Sequence, residues 1–183
     1  MTYYGGKELA TAFRTVRKNT IQIAEDIPED KYGFKPSLES RTIAQTLAHI
    51  ATATTFPMML HAERIPVQKI DFGAYMQKVG AEEAQLQTKA QIVGKLKDSG
   101  EKFASMLESL TDDAFLAEAL MFPGGDPPSR TRFDLLLAAK EHEMHHRAQL
   151  MVIQRMLGLV PHLTREAEAR MARFMAQQAQ ATR

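Results

Sequence analysis

There is no cysteine in the 183 residues of this chain. Disulfides, thiolate metal ligands and a protein thiol nucleophile are therefore excluded together, and any sulfur chemistry needs an external thiol. Excess charge is missing too: 23 lysines and arginines face 22 aspartates and glutamates, and no basic run concentrates charge locally. No net field draws such a chain to nucleic acid, so a nucleic-acid partner is not expected. Long apolar runs are absent as well, none approaching the roughly 20 residues that span a bilayer. Met1 to Ala10 lacks the charged-then-apolar pattern of a secretory leader, so no membrane partner and a cytoplasmic location are expected. Strand signals are nearly absent, because β-branched and aromatic residues never alternate over a convincing run.

What the chain does have is helical spacing throughout, with 44% hydrophobic residues to build a core, and no composition shift that would divide residues 1–183 into two domains. A first helix is predicted from about Lys7 to Asp26, with Leu9, Phe13, Val16, Thr20 and Ile23 or Ile27 on one face, stopping at Pro28. Thr42-Ile43-Ala44-Gln45 reads as a capping box that opens a second helix, bent at Pro57 and ending before Pro66. A polar connection with Gly73 and Gly80 leads to a third helix, roughly Ala81 to Leu110, striped by Ile92, Leu96, Phe103, Met106, Leu107 and Leu110. Met121 to Pro128 is too rich in proline and glycine for helix. A fourth helix starts at Thr131 and ends near Gly158, and a fifth runs from Thr164 to about Ala179. The expectation is an all-α fold, a four-helix bundle with an extra C-terminal helix. The stripe of Ala169, Met171 or Ala172, and Phe174 to Met175 on that last helix is expected to pack on its own chain.

Chemistry concentrates in Glu141-His142-Glu143-Met144-His145-His146-Arg147. His142 and His146 are four residues apart, about 40° around a helix, and share a face with Leu135, Gln149, Ile153 and Leu157. Two imidazoles on an otherwise apolar stripe are costly to bury unless hydrogen-bonded or liganded, so a metal site is the leading reading and a hydrogen-bonded core pair the plainer one. His49, in the middle of the second helix, would complete a three-histidine set that leaves coordination positions open. His145 flanks the pair, as a supporting group or an alternative ligand. His61 and His162 are expected at the surface. His142-Glu143-Met144-His145-His146 also matches H-E-x-x-H, a peptidase pattern in which Glu143 would be the general base and Glu166 a third ligand. A di-iron carboxylate site is disfavoured, since no second Glu-x-x-His pair accompanies Glu143 and His146.

Two separated blocks make the chain resemble the DinB/YfiT-like family of metal-binding four-helix proteins. One is Ile27-Pro28-Glu29-Asp30-Lys31-Tyr32-Gly33-Phe34-Lys35-Pro36 with Ile43 to Ala51 after it. The other is His142 to Leu150, followed by Leu157-Gly158-Leu159-Val160-Pro161. Ala148 stands where the family often has glycine, a change that leaves the ligand spacing intact. The resemblance implies that His49, His142 and His146 hold the metal, in an up-down-down-up bundle whose crossover suits the Pro66 to Gly80 connection. Imidazole nitrogens leave the ion open, with zinc or nickel ahead of iron or manganese. The resemblance further implies a metal-dependent transferase or isomerase that joins a low-molecular-weight thiol to a small-molecule substrate, and a homodimer. Arg147 or tyrosines are candidates for fixing anionic or carbonyl groups. A metal that merely staples the bundle is the non-catalytic alternative.

Overall fold

In the computed structural model, which describes residues 4–181, α1 (Gly6–Asp26) forms where the apolar spacing predicts it and buries Leu9, Phe13, Val16, Thr20 and Ile23. The capping box at Thr42 is present: Thr42 Oγ1 accepts from the Gln45 amide at 3.0 Å, and Gln45 Oε1 accepts from the Thr42 amide at 2.9 Å. It opens α2 (Ile43–Thr52). The expected bend at Pro57 is a break instead, and α3 (Thr55–His61) starts as a separate helix. A proline clashes with the carbonyl four residues before it and cannot donate to it, so the interruption falls at Ala53 and Thr54 rather than at the proline itself.

The region expected as connection plus third helix also divides differently. Asp71 caps a helix that the glycines had hidden, α4 (Phe72–Gln85). Thr88 then opens α5 (Lys89–Ser109), with Gln91 closing a second capping box. A short α6 (Asp113–Ala117) follows. The proline- and glycine-rich loop is the tip of a small antiparallel hairpin, β1 (Ala119–Met121) paired with β2 (Ser129–Thr131) in the register Leu120 to Arg130. These three-residue strands are too short to leave an alternating pattern in the sequence. α7 (Arg132–Met156) begins after Thr131, whose hydroxyl accepts from the Asp134 amide, and ends before Gly158 at φ 77°, a conformation glycine adopts without penalty.

Two apolar layers fix the directions of the long helices. One joins Ile23 and Ile27 of α1, Ile43 and Leu47 of α2, Ile92 and Leu96 of α5, and Leu150 and Ile153 of α7. The other joins Leu9 and Phe13 of α1, Met58 of α3, Phe103 and Leu107 of α5, and Leu136 of α7. The first layer therefore holds the end of α1, the starts of α2 and α5 and the end of α7. The second holds the opposite ends, which gives an all-α bundle ordered up-down-down-up, with α4 in the crossover.

α8 (His162–Ala181) starts two residues before the expected fifth helix. Its stripe does not cover the bundle, contrary to expectation: Met171, Phe174 and Met175 are each more than half exposed. The ties of α8 to α1 lie near its start, where Arg165 Nη2 pairs with Asp26 at 2.8 Å and His162 meets Asn19. Among the described residues, no helix is long and apolar enough to cross a membrane.

Candidate metal centre

α2 and α7 run alongside each other in opposite directions, which brings His49 of the one to His142 and His146 of the other. One ring nitrogen from each of the three lies within 4.8 Å of the other two. His49 is half-buried, His146 is buried, and His142 sits at the exposed edge of the group. The inward placement expected for the pair thus holds for His146, while His142 borders solvent. A tetrahedral cation with nitrogen ligands at about 2.0–2.1 Å would set those nitrogens about 3.3 Å apart, inside the spread observed here.

Hydrogen bonds settle which nitrogens face one another. Glu83 Oε1 accepts from His49 Nδ1 at 2.9 Å, and Thr52 Oγ1 donates to the same oxygen at 3.0 Å. A neutral His49 donating there keeps a lone pair on Nε2. That Nε2 lies 3.0 Å from His142 Nε2. Two lone pairs at that distance repel unless positive charge lies between them, and a metal ion or a shared proton supplies it. His146 is oriented in the same manner, its Nδ1 2.9 Å from Gln149 Oε1, and Gln149 Nε2 reaches His145 at 3.1 Å. His145 is thereby a support for the group and not a member of it. Burial, then the imidazoles of His146 and His49, hold His142 down to about 4. His146 is also held below its ordinary value, chiefly by burial. Neutral imidazoles are the form that binds metal, so the residues present fit a divalent cation.

Glu143 points away from this group. Its carboxylate is buried against Arg17, with Nε at 2.9 and 3.0 Å from the two oxygens and Nη2 at 2.9 Å from Oε2. A carboxylate so engaged is not free to act as a general base beside the histidines, which removes the peptidase role assigned to Glu143. Glu166 lies on α8 near His162, and among the described residues the ligand atoms that converge are those of His49, His142 and His146. Arg17 also donates to the Leu96 carbonyl at 2.8 Å, to Ser99 Oγ at 3.0 Å and to the Ile50 carbonyl at 3.4 Å. It therefore ties the residue after His49 to the residue after His142.

Two surface expectations fail. His61 is 2% exposed and His162 is 4% exposed. The break at Ala53 and Thr54 resets the angular count from His49, and turns His61 inward against Arg132, 3.5 Å from its Nδ1. His162 begins α8 and packs its ring toward Asn19 instead of lying in an open turn.

Two cavities meet the histidines from different sides. One of about 650 Å³ is lined by His146, Gln149, Glu39, Ser40 and Arg41 among others. Its Arg41 acts electrostatically on both His142 and His146. The other, about 350 Å³, is lined by His49 and His142 together with Phe56, Tyr75 and Leu135. Arg147, named from the sequence as a candidate for binding anionic groups, lines neither cavity, whereas Arg41 and Tyr75 do. Glu83, Arg17 and Arg41 carried no isolated signal in the sequence. Glu83 was expected near the start of the third helix, and only the Asp71 cap could have put it at the end of a separate one, α4.

Comparison with known proteins agrees with this fold. The family model described as DinB superfamily matches residues 12–150. The Bacillus subtilis protein YjoA is 26% identical over 151 residues, covering 82% of this chain and 90% of YjoA. The crystal structure of YjoA, a DinB-like protein, superposes with a TM-score of 0.60 at 27% identity, over 82% of this chain and 92% of that one. YfiT from Bacillus subtilis, described as a probable metal-dependent hydrolase with an unusual four-helix bundle topology, aligns at 18% identity with a TM-score of 0.62, over 87% and 91% of the two chains. A DinB-like protein from Bacillus cereus shares the fold at a TM-score of 0.66 and 16% identity, over 87% of this chain and 97% of that one. With the family model spanning most of the chain and the same bundle recurring among these relatives, the protein belongs to the DinB superfamily.

Proposed function

We propose that the protein is a metal-dependent transferase or isomerase that uses a low-molecular-weight thiol, with His49, His142 and His146 as the ligands of one divalent cation, zinc or nickel ahead of iron or manganese. The observation that carries the reading is the triad itself: three converging ring nitrogens between two cavities, with no carboxylate or thiolate among the described residues to close the set. Three ligands leave room for an exogenous group, the arrangement of catalytic rather than structural sites. When bound, such a cation favours the deprotonated form of a thiol whose ordinary pKa is about 8.5.

The chain's own residues supply the rest. Glu83 and Gln149 fix the rings of His49 and His146, and Arg41 places positive charge beside the larger cavity, where an anionic part of the thiol molecule would rest. Tyr75 and Phe56 wall the smaller cavity beside His49 and His142. In a conjugation, the thiol proton passes to solvent, the sulfur lone pair forms the bond to carbon, and the bond from carbon to the leaving group breaks with its electron pair departing on that group. The protein's contribution is to hold the two reactants in line.

The test is an assay of zinc- and nickel-loaded protein with an alkyl halide or epoxide, with and without glutathione or cysteine. The expected result is turnover that requires metal and thiol together and is lost in His142→Ala. Turnover that ignores the thiol would overturn the reading in favour of hydrolysis, the activity ascribed to YfiT. No turnover across a broad panel of electrophiles, together with a metal-dependent melting temperature, would leave the metal as a structural staple.

A further inference from the structure

We propose that the smaller cavity is a subsite for a small, uncharged, apolar electrophile of one-ring size, separated by the histidines from the side on which Arg41 receives charge. The chemical role of this subsite rests on the thiol-transfer reading above, but its ligand preference follows from its walls alone.

Three helices supply its apolar walls. α3 contributes Phe56 and Pro57, α4 contributes Tyr75, and α7 contributes Leu135, Ala138 and Ala139. The rings of Phe56 and Tyr75 meet at 5.6 Å and 61°, an edge contact that holds both in place as one aromatic face. Ala138 stands one helical turn before His142 on the same face of α7, so the side chain there decides how much space remains beneath the ligand ring. Alanine leaves that space open. The resulting volume of about 350 Å³ is near the lower end for small-molecule sites, which bury most of a ligand's surface in apolar walls and orient it with few polar groups.

The charges near this cavity are already engaged. Arg130 at its rim donates to Asp134. His61 is held down to about 4, first by burial and then by the neighbouring charge of Arg132, so it is neutral at pH 7. Away from the histidine edge where the cation would sit, no charged side chain among the described lining residues is left to compensate a ligand charge of either sign, and burying an unpaired charge is strongly unfavourable. The larger cavity is the reverse case, with Arg41, Ser40 and Gln149 on its walls. Since His146 lines one cavity and His49 and His142 the other, groups held on the two sides meet across the triad.

Toluene and benzylammonium form a matched probe pair, alike in ring and differing in charge, and an ammonium group cannot ligate the metal. In metal-loaded protein carrying ¹³C-labelled alanine methyls, toluene is expected to shift the Ala138 and Ala139 signals saturably, with benzylammonium at least tenfold weaker at those methyls. Ala138→Phe should fill the space and weaken toluene at least tenfold without changing the metal bound per chain. Equal binding of the two probes, or unmoved Ala138 and Ala139 methyls at high toluene, would overturn the proposal. So would an Ala138→Phe protein that still binds toluene as well as wild type, and if that variant fails to fold the wild-type titration alone decides. Toluene binding in a protein without thiol-dependent turnover would support the subsite while removing the thiol reading. Thiol-dependent turnover with no response of these methyls would remove the subsite alone.

Discussion

Arg17 carries a positive charge into the bundle at the level where the two apolar layers adjoin, and the chain accommodates it with Glu143 and two backbone carbonyls. Both side chains are almost fully buried. A buried pair of this kind is weak evidence for stability, because desolvation offsets much of the attraction, yet removing one partner strands the other at about 3–5 kcal/mol. Its geometry points to positioning: the same guanidinium holds Ile50 beside His49 and Glu143 beside His142. Replacing both charges, as Arg17→Met with Glu143→Met, should leave the melting temperature within a few degrees while lowering zinc affinity about tenfold, the usual scale for losing a group that orients ligands. Competition with a chelating dye measures this, and unchanged affinity in a folded double variant would show that the pair only packs. Gly100→Ala is a second route to the same effect, since a methyl there would stand 2.6 Å from Arg17 Cγ and push the side chain off its partners. None of this was legible in the sequence. Glu143 drew attention as part of H-E-x-x-H, whereas the residue that captures it lies 126 positions away.

At the scale of elements, the sequence was readable wherever local chemistry decided the outcome. The Thr42 capping box, the start after Thr131 and the glycine stop at Gly158 all act within one turn, and each holds in the structure. The nearness of His142 and His146 was legible for a related reason, because their spacing is a property of one helix. What escaped depended on competing signals. Gly73 and Gly80 argued for a polar loop, but Asp71 Oδ1 accepts from the Ala74 amide at 3.0 Å, and a cap of that kind offsets the cost of one or two glycines. The break before Pro57 misplaced His61 because an angular count fails across an interruption. The misread α4 matters for function, since it delivers Glu83 to His49. Glu83→Gln keeps the size and an acceptor oxygen but removes the charge that strengthens the bond to His49 Nδ1. Metal affinity should fall by about tenfold or more, on the scale seen for outer ligand partners. Calorimetric titration with zinc measures it, and wild-type affinity in Glu83→Gln would assign α4 to covering the cavity alone.

For the molecule as a whole, a cation at the triad would join a descending helix to an ascending one. α2 and α7 share apolar contacts in the first layer through Leu47, Ile50, Leu150 and Ile153. The triad side of their contact has imidazoles where another bundle would have apolar side chains, so a bound metal would link stability there to its occupancy. A ligand that binds only the folded state at about a thousand times its dissociation constant adds roughly 4 kcal/mol. In a chain of this size each kcal/mol moves the melting temperature by about 2–4 °C. Removing metal with a chelator should therefore lower the melting temperature by about 10 °C, and His49→Ala should abolish the response. The sign of the pH dependence follows from the imidazoles: their protonation competes with metal, and His142 is held down to about 4, so its ring stays neutral well below the ordinary histidine range. The difference between chelated and loaded protein should persist at pH 6 and shrink as pH falls toward that value. A chelator that leaves the melting curve unmoved at pH 7 in protein verified to carry one zinc would show that the cation contributes nothing to holding α2 against α7, and that its role is confined to the chemistry of the two cavities.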